Sequence, residues 1–196
     1  MKERTVEVKR VPCQENDAPG FKKIFDGANL AGWRMCGPGT FELENNMIIS
    51  NGGMGLLWYT GKKFRNFILK VLWTTSRKED NSGVFIRFAD PGNDPWIAVN
   101  TGYEIQIYNG EHHQGNATHK TGAIYGFAEP SRNSTTKPGE WNCFEVHAVG
   151  QCYVVILNNS RITEFTGNRR IEGYIGLQNH DTESRVCFRK VEIKEL

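Results

Sequence analysis

Asn81-Ser82-Gly83-Val84-Phe85-Ile86-Arg87 and Tyr103-Glu104-Ile105-Gln106-Ile107-Tyr108 alternate apolar and polar residues in the two-residue rhythm of a half-buried β-strand. In the first stretch the rhythm predicts Val84 and Ile86 facing a core, with Asn81, Phe85 and Arg87 facing away. In the second it places Tyr103, Ile105 and Ile107 inside and Glu104, Gln106 and Tyr108 outside. Tyr174-Ile175-Gly176-Leu177-Gln178-Asn179-His180 repeats the pattern, with Ile175 and Leu177 inside and Tyr174, Gln178 and His180 outside.

The same signals recur outward from these three stretches. Short apolar runs separated by Gly, Asn, Ser and Thr predict strands over 41–44, 47–50, 56–59, 67–75, 82–88, 103–108, 123–126, 141–149, 153–157, 161–165, 173–178 and 186–193. Asn45-Asn46 and Gly150-Gln151 read as hairpin turns. No window carries the 3.6-residue apolar stripe of an amphipathic helix. A dozen strands without helices means an all-β sandwich or barrel. Residues 1–20 are polar and read as a tail or edge strand. Residues 21–196 read as one domain, a length that buries a core without disulfides.

The 24 basic and 22 acidic residues give a net charge of +2. That balance, without a basic stripe, excludes nucleic acid as a partner. No run approaches the roughly 20 apolar residues of a membrane helix. The charged start, Met1-Lys2-Glu3-Arg4, leads into no apolar stretch, so it is not a secretory signal. This favours the cytoplasm, or a secreted or periplasmic site if a signal was removed. Five cysteines, Cys13, Cys36, Cys143, Cys152 and Cys187, show no CxxC spacing. In a hairpin turning at Gly150-Gln151, Cys152 faces Val149 and Cys143 faces Asn158, too far apart to bond. Free thiols are expected, which leans toward a reducing compartment.

If the three quoted strands are neighbours, their outward residues form a polar and aromatic platform. Carboxylate, amide and guanidinium groups match sugar hydroxyls, and Tyr or Trp covers the C–H face of a ring. Gly83 and Gly176 would let a ligand approach the backbone. Two long loops flank the strands. Residues 90–101 hold Pro91, Gly92, Pro95 and Trp96, and residues 109–121 hold His112, His113 and His119. Long loops on a rigid scaffold commonly line binding sites.

Six motifs, in order, carry a family resemblance. They are Phe25-Asp26-Gly27 with Leu30 and Gly32-Trp33; Asn81 to Arg87; Gly102 to Ile107; Thr121-Gly122-Ala123-Ile124-Tyr125-Gly126; Lys137-Pro138-Gly139-Glu140-Trp141-Asn142; and Gly176-Leu177-Gln178-Asn179-His180 with Phe188-Arg189. Together they resemble the DUF1080 family, the 3-keto-disaccharide hydrolase domain. The resemblance implies a concanavalin A-like, laminin-G-like jelly-roll sandwich of two antiparallel sheets. It also implies a hydrolase or lyase acting on 3-keto-glycosides or related sugars. Two departures bear on substrate and metal. A His-rich stretch, Glu111 to Lys120, stands where many members are Asp-rich, and Phe188-Arg189 runs into Lys190 rather than Asn.

The expected chemistry is removal of the acidified C2 hydrogen of a 3-keto sugar, followed by loss of the C1 oxygen. Glu104 or His180 is the expected base, and Arg87 the expected oxyanion holder. Tyr125 or Tyr108 would assist the leaving oxygen. Asn81, Gln106, Asn142, Gln178, Arg189 and Trp96 would bind the sugar. A two-carboxylate glycosidase would need a second acid from Glu111 or Glu129. No cofactor is required by this chemistry. A divalent metal is an option, at Glu104 with His113, His119 or His180, or as calcium at Asp90, Asn93 and Asp94. A lectin-like module that holds a carbohydrate without cleaving it is the alternative. The residues leave the oligomeric state open.

Overall fold

A computed structural model describes residues 19–111 and 116–196; the calls on Cys13, His112 and His113 lie outside the described residues. Among the described residues there are thirteen strands: β1 (Lys22–Phe25), β2 (Trp33–Cys36), β3 (Thr40–Glu44), β4 (Met47–Asn51), β5 (Gly55–Tyr59), β6 (Phe67–Thr75), β7 (Ser82–Phe88), β8 (Tyr103–Ile107), β9 (Asn142–Val149), β10 (Cys152–Leu157), β11 (Ser160–Thr166), β12 (Tyr174–Asn179) and β13 (Val186–Glu195). They form an antiparallel jelly-roll sandwich. One sheet runs β11-β10-β9-β6-β13-β4-β3, with β1 also paired to β13. The other runs β2-β5-β12-β7-β8.

Local chemistry sets the register. Asn45 and Asn46 adopt φ of 50° and 63°, and Asn158 and Asn159 adopt 50° and 69°. Two consecutive left-handed residues make the tight hairpin turn that matches strand twist, and Asn tolerates that conformation. The two turns join β3 to β4 and β10 to β11.

Inward residues of both sheets make one core. Val84, Ile86, Tyr103, Ile105, Ile107, Ile175 and Leu177 are all fully buried in it, as the alternation predicts. They meet Phe67, Leu69, Val71, Phe144, Val146 and Phe188 from the facing sheet. Burial of such side chains is worth roughly 1.5–3 kcal/mol each and dominates the favourable terms of folding.

Several expectations change. The sequence suggests no helix, yet α1 (Trp96–Thr101) lies in the loop after β7. Six residues are too few to show a periodic stripe. The helix packs its Ala98 onto the outer face of the five-stranded sheet, against Cys36, Leu56, Trp58, Phe85 and Phe88. Part of this sheet's outer face is therefore a covered apolar patch rather than an open polar one. Residues 123–126 form no regular strand. Instead the segment runs along the free edge of β8: Gly122 N–H donates to Gln106 O at 2.8 Å and Tyr125 N–H to Glu104 O at 2.9 Å. This satisfies backbone groups that an open edge would expose. β1 and β2 are further strands beyond those that the sequence predicts.

The cysteine expectation holds in part. Cys152 does pair with Val149, and Cys143 does face Asn158. Cys36, Cys152 and Cys187 are free. Cys143, however, is disulfide-bonded. The hairpin register keeps Cys143 and Cys152 apart, and Cys152 is not the partner.

Candidate functional site

Adjacent strands β12, β7 and β8 bring Gln178, Glu104 and Gln106 together on the outer face of the five-stranded sheet. They line a hollow of about 250 Å³. His180 follows β12, Tyr125 comes from the segment along β8, Met54 from the turn before β5, and Trp96 and Val99 from α1. Glu104, Gln106 and Gln178 are buried and form the floor. Trp96, 55 % exposed, stands at the mouth.

Gly83 explains how Glu104 fits. A Cβ at this glycine would lie 2.1 Å from Glu104 Oε1 and 2.7 Å from Cδ. The room that the sequence suggests for a ligand is taken by the Glu104 carboxyl itself. Likewise Gly176 makes room for Leu56 and Phe88 rather than for a ligand.

One end of the Gln106 amide lies 3.0 Å from both Glu104 Oε1 and the Ser82 carbonyl. Both are acceptors, so that end is the NH₂. Its other end faces the Asn81 amide at 3.3 Å. Gln178 Oε1 is buried and has no hydrogen-bond partner among the described residues.

Burial pushes the Glu104 carboxyl up to about 8. At neutral pH it is therefore largely a protonated acid, able to donate. The Gln106 donation favours the ionised form and works against this shift. Burial, and then the Glu104 charge, raise the Tyr125 phenol. Its ring stacks on His119 with centroids 4.4 Å apart.

His180 carries a neighbour that the sequence reading passed over. Its Nδ1 lies 2.8 Å from Asp181 Oδ2. Asp181 also accepts from Ser184 N at 2.6 Å, Glu183 N at 2.8 Å and Ser184 Oγ at 2.9 Å. Burial of Asp181 opposes its charge, but the His180 and Ser184 hydrogen bonds outweigh it and hold the carboxyl below the usual carboxylate range. With Nδ1 committed to Asp181, the other ring nitrogen is the one available to a ligand. The His180-Asp181 adjacency was visible in the chain. The turn that folds the carboxylate back onto its neighbour was not.

Arg87 does not face this hollow. At Arg87 the pairing of β7 with β12 slips: Tyr174 pairs Phe88 and Ile175 pairs Ile86, leaving Arg87 as the extra residue of a bulge. Its φ is 53°. The bulge turns the guanidinium inward, where it is fully buried. It donates to Tyr153 Oη at 2.8 Å, Ala148 O at 3.0 Å, Asn66 Oδ1 at 3.5 Å, and the Gly150 and Arg65 carbonyls. Arg87 thus ties the two sheets together, and the expected oxyanion role falls away.

Asn142 and Arg189, expected to bind the sugar, and Tyr108, expected at the leaving oxygen, also lie outside the lining of this hollow. Asn142 begins β9 in the other sheet and bonds Glu140 O and Asn158 Nδ2. Arg189 occupies a bulge in β13, with its guanidinium over Trp141 at 6.0 Å. It lines a separate hollow with Lys23, Asp26, Asn46, Leu72 and Lys190. Tyr108 follows the end of β8, is buried, and turns its hydroxyl toward Gly110. Asn81 is buried behind Gln106 and reaches the floor through it.

Among the described residues, no three His, Cys, Asp or Glu side chains converge to hold a metal ion. Asp90 Oδ1 accepts from Gly92 N and Asp94 Oδ1 from Trp96 N, so the loop proposed for calcium folds its own turn and starts α1. No helix of the described residues is long and apolar enough to cross a membrane.

Residues 20–194 match the 3-keto-alpha-glucoside-1,2-lyase-like domain. The chain belongs to that family. A 3-keto-disaccharide hydrolase from Bacteroides thetaiotaomicron is 26 % identical, over 92 % of this chain and 80 % of the relative. A solved candidate glycosyl hydrolase from Parabacteroides distasonis superposes with a TM-score of 0.75 at 26 % identity, covering 90 % of this chain and 99 % of that one. The carbohydrate-binding module CBM66 from Bacillus subtilis shares the fold, with a TM-score of 0.61 at 15 % identity over 84 % of this chain and 96 % of that one.

Proposed function

We propose that this member of the 3-keto-alpha-glucoside-1,2-lyase-like family cleaves 3-keto-glycosides in the hollow over β12, β7 and β8. The observation that carries the reading is the pairing of a buried, largely protonated carboxyl, Glu104, with the His180-Asp181 couple in one hollow. Two titratable groups in unlike environments divide acid and base work.

In this reading the keto ring sits on the floor, with its hydroxyls on Gln178 and Gln106. The free nitrogen of His180 takes the C2 proton, and Asp181 stabilises the imidazolium that forms. The electrons of the C2–H bond become a C2–C3 enolate. Glu104 donates to the C3 oxygen as negative charge gathers there. The enolate then collapses: C3=O re-forms, a C1=C2 double bond forms, and the C1–O bond breaks. Tyr125 gives the leaving oxygen its proton. The products are an enone and an alcohol, and water added across the enone completes a net hydrolysis.

The disulfide at Cys143 supports an oxidising compartment over the cytoplasm.

The test is release of the alcohol from a 3-keto-glycoside, with enone absorbance followed in parallel. Wild-type protein should release it, and His180→Ala should slow release by about 10²-fold or more. Tight binding without release by the wild type would leave a carbohydrate-binding module instead.

A further inference from the structure

The hollow is uneven in its chemistry. Its buried floor is polar, while the less buried lining above it sets apolar Trp96, Val99 and Met54 beside Tyr125 and His180. Its volume of about 250 Å³ lies below the range of roughly 300–1,000 Å³ typical of sites that enclose a drug-sized ligand. One sugar ring fills it, so whatever is attached at C1 must lie at the mouth.

Trp96 is mounted there firmly. Asp94 Oδ1 accepts its backbone N–H at 3.0 Å, and one residue after Ile97 the helix anchors through Ala98, which is completely buried. The indole nonetheless remains more than half exposed and adds little to the core. Neither Lys nor Arg is among the described residues lining the hollow. Beyond the floor, Tyr125 and His180 are the polar side chains among the described residues lining the hollow, and the catalytic reading already engages both.

We propose that the mouth is an apolar leaving-group platform, and that the preferred substrates are neutral 3-keto-glycosides with an aryl or otherwise apolar aglycone. This rests on the catalytic reading of the same hollow. An aromatic ring lying on Trp96 gains offset stacking as well as burial. An aglycone bearing a carboxylate or phosphate finds no Lys or Arg among the described residues lining the hollow and gives up hydration on an apolar surface.

The experiment compares 2-phenylethyl and ethyl 3-keto-glucosides, whose leaving alcohols have similar acidity, together with a 3-keto-disaccharide. Both kcat/KM and Kd by calorimetry are measured for wild type, Trp96→Ala and Trp96→Phe. The phenylethyl compound should exceed the other two about tenfold in wild type. Trp96→Ala should bring the phenylethyl-to-ethyl ratio close to one, and Trp96→Phe should keep most of it. Equal ratios in wild type, a ratio that survives Trp96→Ala, a disaccharide preferred over the phenylethyl compound, or no binding of any of them overturns the platform. If the Trp96-dependent Kd ratio is seen but nothing is cleaved, the platform stands and the catalytic reading falls. Should Trp96→Ala fail to fold, Trp96→Gln carries the same comparison.

Discussion

His180 Nδ1 and Asp181 Oδ2 stand 2.8 Å apart although the two residues are neighbours in the chain. Side chains of consecutive residues in an extended strand point to opposite faces. The pair can meet because β12 ends at Asn179 and Asp181 opens a turn that captures the amides of Glu183 and Ser184. One carboxylate therefore orients the imidazole and builds the turn that presents it.

Asp181→Asn tests this coupling. An amide keeps the size but not the charge that steadies an imidazolium. In the catalytic reading kcat should fall about 10- to 100-fold with little change in KM, the size seen when supporting partners of an active group are removed. Steady-state kinetics with a 3-keto-glycoside checks it. The same variant should lose an acid-dependent part of its stability. The Asp181 carboxyl is depressed in the folded state. Its contribution is present above the ordinary aspartate value of about 3.9 and disappears as pH falls through the lower folded one. Wild type minus variant, followed by denaturant melts, should shrink across that interval.

Glu104 works in the opposite sense. Its carboxyl rises from 4.5 to about 8 on folding. Between those values the folded protein holds a proton that the unfolded chain has released. Stability therefore drops as pH climbs through this window and levels off above it. Each unit is worth about 1.4 kcal/mol, so the full effect is a few kcal/mol at most. Glu104→Gln should flatten that slope and be the more stable protein at pH 8. In the catalytic reading the wild type should lose kcat/KM as the acid ionises near pH 8, and Glu104→Gln should abolish that fall.

Arg87→Lys should be damaging for stability alone. A lysine cannot reach the several carbonyls and the Tyr153 hydroxyl that the guanidinium joins across the two sheets. Breaking a buried charged network of this kind costs about 3–5 kcal/mol. The melting temperature should fall by several degrees or more, while kcat per folded molecule at low temperature stays near wild type. A selective collapse of kcat with an unchanged melting curve would return Arg87 to the site.

These residues show how far the sequence reaches. Strict alternation placed Val84, Ile86, Ile105 and Leu177 in the core, and it placed Glu104, Gln106 and Gln178 on one outer face. It worked because one face of each strand is buried, so a slip of one residue would invert every side chain. The same rule failed at Arg87, where one added residue reverses the parity of all that follows in the strand. Nothing in Phe85-Ile86-Arg87-Phe88 marks a bulge, since no glycine supplies the positive φ. Arg189 sits at a second slip, between Phe188 and Lys190. Asn142 was misplaced for another reason: polarity says that a residue avoids the core but not which sheet its strand joins. The helix at Trp96 was hidden by its length.

Gly83 offers the most direct test of the floor. It is extended backbone in β7, so no special φ demands glycine there. What demands it is space: a methyl group would overlap the Glu104 carboxyl and its Cγ, the latter at 2.6 Å. Gly83→Ala should therefore move the carboxyl while the two strands keep their pairing. The displaced group would gain contact with water, which lowers its pKa from about 8 toward the ordinary range. Two consequences go together. The alkaline fall in kcat/KM should shift to lower pH, and turnover at pH 7 should drop about 10²-fold as the acid is lost from its position. A crystal structure and a pH profile of Gly83→Ala check both. If the variant kept the wild-type profile with Glu104 visibly displaced, the carboxyl would not be the acid in this hollow.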